Sequence, residues 1–410
     1  MPTSGSTAPV VIVGGAMGGL RTAESLRKAG YAGPIRVIGD ELHAPYNRPP
    51  LSKDVLEAGV THDAVAFPAR AETADVEWML GAQATAADLA ARTVTTSDGS
   101  THGYAALVIA TGLRPRRLPF PPDAAAAADS GPPRHAIRTL DDALTLRAQL
   151  TPGTRVVVVG SGFLGCELAS TASKLGCSLT VVTTSPEPMV RPLGMLVAAE
   201  LRRRLEAQGV AFELGTTIAS LPPGGVELAD GRVLPADLVI EAIGSDCNSE
   251  WLHSSGLDVT DGVLTDNALR AITLDGVVHP DVMVVGDIAR FPNPMFDDVP
   301  RRIEHWNIPT DTGRRAGAVL AAHLAGDESV AATEFAPMPS FWSNQFEMKL
   351  QAYGLPGLGD EDDVRILQGD LAGECAIGYH RDGRLVGVVG IGMKAALLPY
   401  RQEIAERARG

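Results

Sequence analysis

The stretch VVVVGSGFLGCE, Val156–Glu167, decides the fold. Its four valines form an apolar run suited to a strand buried on both faces, and the following helix carries Leu168, Ala172 and Leu175 at helical spacing. Between them, Gly160, Gly162 and Gly165 make a full G-x-G-x-x-G. Such glycines permit a tight turn, close approach of backbone to a pyrophosphate and close packing of helix on strand, while the helix N-terminus faces the anion. Towards the N-terminus the order recurs: PVVIVGG (Pro9–Gly15) runs into a helix with Leu20, Ala23 and Leu26 on one face. There Gly14 and Gly19 hold the outer positions and Ala16 replaces the middle glycine, a methyl that is tolerated if the backbone keeps its path. The next strand, PIRVIGDE, carries Asp40 near its end. Two strand–turn–helix–strand units imply two dinucleotide sites.

The second unit lacks one expected group. A carboxylate about 20 residues beyond the glycines normally accepts hydrogen bonds from the adenosine ribose and repels a 2′-phosphate. Here LTVVTTSPEP (Leu179–Pro188) places Thr183 and Thr184 at that point. Thr183 removes the repulsion, and Thr184 and Ser185 can donate to a phosphate. Arg191 follows a few residues on, and Glu187 would oppose a phosphate if it pointed inward. NADH and NADPH therefore both stay open.

At 410 residues the chain is long enough for two or three domains. Its 45% apolar and 20% charged residues fit a soluble globular protein. No apolar run reaches the roughly 20 residues of a membrane helix. The opening MPTSGSTAPV has neither a basic flank nor an apolar segment, so it reads as a short disordered lead-in and not as a signal peptide. Cys166, Cys177, Cys247 and Cys375 contain no C-x-x-C pair and read as isolated thiols of a reducing cytoplasm. A net charge of −14 argues against nucleic acid or an anionic membrane as partner. The acidic run Asp360–Asp363 reads as a solvated loop.

YAALVIATGLRPR (Tyr104–Arg116) and ADLVIEAIGSDCN (Ala236–Asn248) are apolar strands ending in glycine turns, and each follows a hairpin signal, TTSDGS or LADGRVLP. A further strand, VVHPDVMVVGD, ends in Gly286-Asp287, where the aspartate either bonds a ligand hydroxyl or caps the next helix.

With these pieces in place the chain resembles the FAD-dependent ferredoxin reductases of oxygenase and P450 electron-transfer chains, the putidaredoxin reductase group. The resemblance runs from about Val10 to the C-terminal region. It rests on PYNRPPLSK (Pro45–Lys53), ATG (Ala110–Gly112), GDIARFPNPMF (Gly286–Phe296), RRIEHW (Arg301–Trp306) and FWSNQF (Phe341–Phe346). It implies an α/β fold with two Rossmann-like dinucleotide-binding domains of the glutathione-reductase type and a C-terminal α+β interface domain. The implied division is 1–113 with 246–328 for FAD, 114–245 for NAD(P), and 329–410 for the interface domain.

The resemblance also implies roles. Gly14, Gly15, Ala16, Gly18 and Gly19 would hold the FAD pyrophosphate, with Asp40 on its ribose. Arg48, Ala84, Thr111, Gly112, Gly244, Gly286, Glu304 and His305 would complete the cofactor sites. Lys53 would lie by the isoalloxazine, where a cation stabilises the charge of reduced flavin. Arg138 would contact the flavin, Asp287 would bind the ribityl chain, and Trp306 would lie along the ring edge. Gly160, Gly162, Gly165 and Thr183 would take NADH or NADPH, and Glu167 would stand near the nicotinamide. Lys53 and Glu167 are thus the catalytic candidates in the sense of orienting and tuning; as a bland alternative they form a plain structural ion pair. No metal site is implied. The partner would be an acidic iron–sulfur ferredoxin, docked on a basic patch from Arg301, Arg302, Arg314 and Arg315, or those arginines are an ordinary solvated face. A monomer or weak homodimer would suit such a reductase. The chain lacks the C-x(4)-C pair of the related disulfide reductases. It departs from the group in EHWNIPTDTG, where EHWDNA is usual, and in Cys247, where proline is usual. Those departures leave room for an FAD-binding redox-sensing or interaction protein with weak nicotinamide use. A rubredoxin or quinone reductase is the other alternative.

Overall fold

The computed structural model describes residues 8–120 and 131–407; the expected disordered lead-in falls outside them apart from its last residues. Among the described residues, a six-stranded sheet has the order Arg270–Ile272, Val278–Val284, Ala106–Ile109, Val10–Val13, Ile35–Gly39, Glu77–Leu80. Its inner strands are parallel, with Val10 opposite Ile35 on one side and Ala106 on the other. Val10–Val13 and Ala106–Ile109 are buried at every position, as expected for strands covered on both faces. The second sheet has the order Ala211–Glu213, Ser178–Val182, Arg155–Val159, Leu238–Glu241, Arg134–His135, all parallel. The two glycine turns thus leave corresponding strands of two similar sheets.

The chain crosses between the halves on two antiparallel segments, Leu113–Pro115 outward and Ser245–Cys247 on return, with Cys247 opposite Leu113. The hairpin signals become small antiparallel sheets at 84–103 and 218–235. In the first half, helix Ile308–Leu324 lies tightly on helix Met17–Lys28. A Cβ on Gly317 would stand 2.5 Å from Ser25 Cβ, and one on Gly313 2.9 Å from Gly18 O. Only glycine lets two helices approach so closely, and the contact fixes the turn at Gly286, whose N–H donates to Thr312 Oγ1 at 2.9 Å.

The C-terminal sheet is antiparallel, in the order Ser340–Gln345, Met348–Gly354, Arg384–Ile391, Cys375–Arg381, Val364–Gly369. Its hairpin turns at Asp382-Gly383, both at positive φ (53° and 70°), as a two-residue turn requires. Leu350, Ile377, Val389 and Ile391 from this sheet share one buried core with Val156, Val158, Leu168 and Leu201 of the second half. The acidic run 360–363 lies in a mostly exposed loop, and all four cysteines are free thiols. No helix among the described residues is long and apolar enough to cross a membrane.

Candidate active site

The two glycine turns have the same steric construction. Gly14 and Gly160 stand at φ 126° and 104°, and a Cβ on either would lie 2.1 Å from the oxygen of Ala110 or Ala242. Gly19 and Gly165 do not face the clefts; a Cβ on each would lie 2.1 Å from the oxygen of Gly14 or Gly160, so both permit helix and turn to close on each other. The middle position differs. Gly162 has no described heavy atom within 4 Å of where its Cβ would be, and Ala16 holds the matching place in extended backbone (φ −99°), open to any residue. The methyl expected to be tolerated therefore causes no strain. Both helices, Met17–Lys28 and Phe163–Lys174, start without a side-chain cap and without an acidic residue in the first turn. Their free N–H groups and dipoles are left for an anion.

The first turn opens into two adjoining clefts. One, of about 540 Å³, is lined by Gly14, Gly15, Ala16, Asp40, Arg48, Ala84 and Thr111. The larger, about 640 Å³, continues from Gly18 past Lys53, Gly112, Arg138 and Glu167 to Gly286, Asp287, Glu304, His305 and Trp306. The second turn opens into a cleft of about 650 Å³ with Gly160, Gly162, Thr183, Arg191 and Gly244 on its walls. The last two clefts share Arg138, Phe163, Leu164, Asp287 and Glu304. Trp251 Nε1 beside the first cleft, and Arg138 Nε and His305 Nδ1 in the larger one, are buried with no hydrogen-bond partner among the described residues. Glycine cradles, uncapped helix starts and unpartnered buried nitrogens fit a flavin dinucleotide in the first pair of clefts and a nicotinamide dinucleotide in the second.

Lys53 and Glu167 meet as an ion pair, the plainer of the two readings of the sequence. Lys53 Nζ donates to Glu167 Oε2 at 2.5 Å, Ser52 Oγ donates to the same oxygen at 2.7 Å, and Ser343 Oγ donates to Oε1 at 2.7 Å. Glu167 stands on the large cleft and not on the cleft of the second turn. Ser343 was not legible in the sequence, because one hydroxyl in a strand carries no sign of a partner so distant. Asp287 does not cap a helix; it faces Arg138, with Oδ2 3.5 Å from a guanidinium nitrogen. Burial pushes the Asp287 carboxyl up against the pull of Arg138, while burial, then the neighbouring Arg48, pushes Arg138 down. Arg48 itself pairs with Glu41 and donates to the Arg138 carbonyl. Burial holds His305 at about 4, so its imidazole is neutral at pH 7. Trp306 is 41% exposed and meets Trp342 edge to face at 5.1 Å.

Two expectations change. Glu187 does not reach the cleft of the second turn; it is buried against Arg202 at 2.7 Å. The four arginines do not make an open basic patch: Arg301 is bound to Asp297, Arg302 to Asp261 and Glu304, and Arg315 to the backbone at 330–333. Of the four, Arg314 alone is exposed with no side-chain partner among the described residues. The departure at Asn307 also has a structural reason. Its side chain donates to Met338 O at 3.0 Å and accepts from Ser340 N at 3.0 Å, tying the helix start to the C-terminal sheet.

Residues 8–313 match the family model for pyridine nucleotide-disulphide oxidoreductases, and residues 340–410 match the reductase C-terminal module. The chain is 36% identical to the ferredoxin–NAD(+) reductase component of the anthranilate 1,2-dioxygenase system of Burkholderia cepacia, covering 98% of this chain and 95% of the relative. It is 32% identical to putidaredoxin reductase of Pseudomonas putida, over 97% and 92%. Among solved structures it is similar to the covalent putidaredoxin reductase–putidaredoxin complex, with a TM-score of 0.87, 31% identity and coverage of 98% and 93%.

Proposed function

Since the chain belongs to the pyridine nucleotide-disulphide oxidoreductase family, within its ferredoxin reductases, we propose that it is an FAD-dependent oxidoreductase passing electrons from a nicotinamide dinucleotide to a small iron–sulfur ferredoxin that serves an oxygenase. The observation that carries the reading is the pair of matched glycine cradles whose clefts share one wall at Phe163, Leu164 and Asp287. When bound, FAD supplies the conversion of a two-electron donor into single-electron transfers. The protein supplies position and field. The first cradle and Asp40 would hold the pyrophosphate and ribose, and Thr111, Gly112, Arg138 and Asp287 the centre of the flavin dinucleotide. Lys53 brings a cation to the cleft, and Glu167 keeps that cation in one place. Neutral His305 and the apolar Phe341 exclude water and a second positive charge from the far wall.

The crossing segments at 113–115 and 245–247 support a division into 1–113 with 246–328, 114–245 and 329–410. Four free thiols and the absence of an apolar spanning helix among the described residues support a cytoplasmic place. The partner's acidity and a monomeric or weakly dimeric state belong to the same proposal, with Arg314 the cation left for docking. Anaerobic stopped-flow of the holoprotein at 450 nm tests the reading. Rapid bleaching by a reduced nicotinamide, then reoxidation by a ferredoxin and not by a rubredoxin or quinone, is the expected result. No bleaching by either nicotinamide at saturation would overturn it.

A further inference from the structure

We propose that Ser343, in the C-terminal sheet, is a positioning residue for the flavin site. Its hydroxyl, turned by Gln345, sets how much of the Lys53 cation the large cleft feels, a role that rests on the reading of Lys53 as the cation beside the flavin. Along strand Ser340–Gln345, Phe341, Ser343 and Gln345 face inward, and Ser343 and Gln345 are fully buried. Phe341 lines the large cleft, whereas Ser343 and Gln345 line none of the three clefts. A strand face covered by a core normally carries apolar side chains, because a buried polar group costs free energy unless it is hydrogen-bonded. Here two polar residues stand at alternate positions of that face, and they bond to each other.

The bonds have one direction. Gln345 Nε2 donates to Ser343 Oγ at 3.1 Å, so the one hydrogen of that hydroxyl is left for Glu167 Oε1, 2.7 Å away. Gln345 Nε2 also donates to Met189 Sδ at 3.2 Å, and Met189 N donates to Ser161 O of the second glycine turn at 2.9 Å. The amide is fixed between two acceptors, and its Oε1 is buried with no partner among the described residues. Turned round, the amide would bring that oxygen to Ser343 and take its hydrogen. Glu167 Oε1 would then lose its one donor among the described residues.

Glu167 holds the other end. Its Oε2 accepts from Lys53 Nζ at 2.5 Å and from Ser52 Oγ at 2.7 Å, and Lys53 and Glu167 both line the large cleft. In a poorly hydrated site, a carboxylate deprived of a donor cancels more of the cation beside it. The Ser343 donor draws part of that negative charge away from Lys53 and leaves the cleft more positive. A more positive cleft favours the reduced flavin, which carries negative charge. Anchoring of the sheet has its own bond, from Phe346 N to Ser170 Oγ at 2.5 Å, and does not need Ser343.

The test is the flavin midpoint potential of the FAD-loaded protein, titrated with dithionite and a reference dye in the absence of any nicotinamide. Ser343→Ala should lower it by about 30 mV, a tenfold shift in the two-electron equilibrium. Gln345→Glu, which keeps its size but accepts the Ser343 hydrogen, should lower it too, and Ser343→Thr, which keeps the hydroxyl, should restore it. In a Glu167→Gln background, Ser343→Ala should have no effect. A merely structural Ser343 would change the melting temperature and leave the potential in place. An unchanged potential in Ser343→Ala and Gln345→Glu, or a shift that survives in the Glu167→Gln background, would overturn the proposal. Lys53→Met should lower the potential further. If it does not, the placement of Lys53 beside the flavin falls and the proposal with it; if it does and Ser343→Ala is silent, only the positioning role falls.

Discussion

Lys53 and Glu167 come from opposite halves of the chain and form one ion pair, with side chains 18% and 9% exposed. A pair this poorly hydrated is worth little as a pair and much as a constraint, because removing one partner strands the other charge. Lys53→Met should therefore lower the urea-unfolding stability of the holoprotein by roughly 3 kcal/mol. Glu167→Gln keeps partners for the Ser52 and Ser343 hydroxyls, and the less buried Lys53 ammonium keeps its bonds to Pro49 O and Ser52 Oγ, so the loss should be nearer about 1 kcal/mol. Equal losses would mean that the charge of Glu167 matters as much as the position of its oxygens. His305 gives a pH dependence. Folded, it takes a proton only near 4, against an ordinary value near 6.5. Between those values the unfolded chain binds more protons, so stability is complete above about 6.5 and falls as pH drops to about 4, by about 3 kcal/mol in all. In urea titrations at pH 7 and 5, His305→Asn should flatten that slope.

The glycine turns show what is readable at the level of an element. Their needs are local: a positive φ at Gly14 and Gly160, and no side chain where Gly19 and Gly165 meet the turn. Local needs leave a spacing in the sequence, so both turns and their strands could be placed from residues alone. Gly165→Ala should push a methyl onto Gly160 O and destabilise the fold by about 1–3 kcal/mol, with nicotinamide binding lost and FAD retained. Gly162→Ala, which meets nothing within 4 Å, should fold with unchanged thermal stability. A Gly162→Ala protein as unstable as Gly165→Ala would contradict the similarity of the two turns. Long-range partners leave no such spacing. The Gly313 and Gly317 contact depends on a helix nearly 300 residues earlier, as does the Ser25 bond to Arg314 O across 289 positions. Likewise, the charges of Arg301 and Arg302 could be counted in the sequence, but their neutralisation by Asp297, Asp261 and Glu304 follows from strand pairing and chain return.

At the scale of the molecule, the C-terminal sheet is part of the core of the second half. Leu350, Ile377, Val389 and Ile391 are buried there, each worth about 1.5–3 kcal/mol, so together they rival the whole stability of a domain, about 5–15 kcal/mol. A chain ending at residue 339 should fail to give a soluble, cooperatively melting protein. Soluble 1–339 that retains FAD and melts sharply would show that the sheet is an accessory. The same embedding gives Glu167 a kinetic meaning. Its carboxylate joins Ser52 of the first half, its own helix in the second and Ser343 of the C-terminal sheet. Any swinging of one half away from the other during turnover would have to tear that carboxylate from all of them at once. Those bonds therefore oppose such a swing and hold the two clefts to their shared wall at Phe163, Leu164 and Asp287.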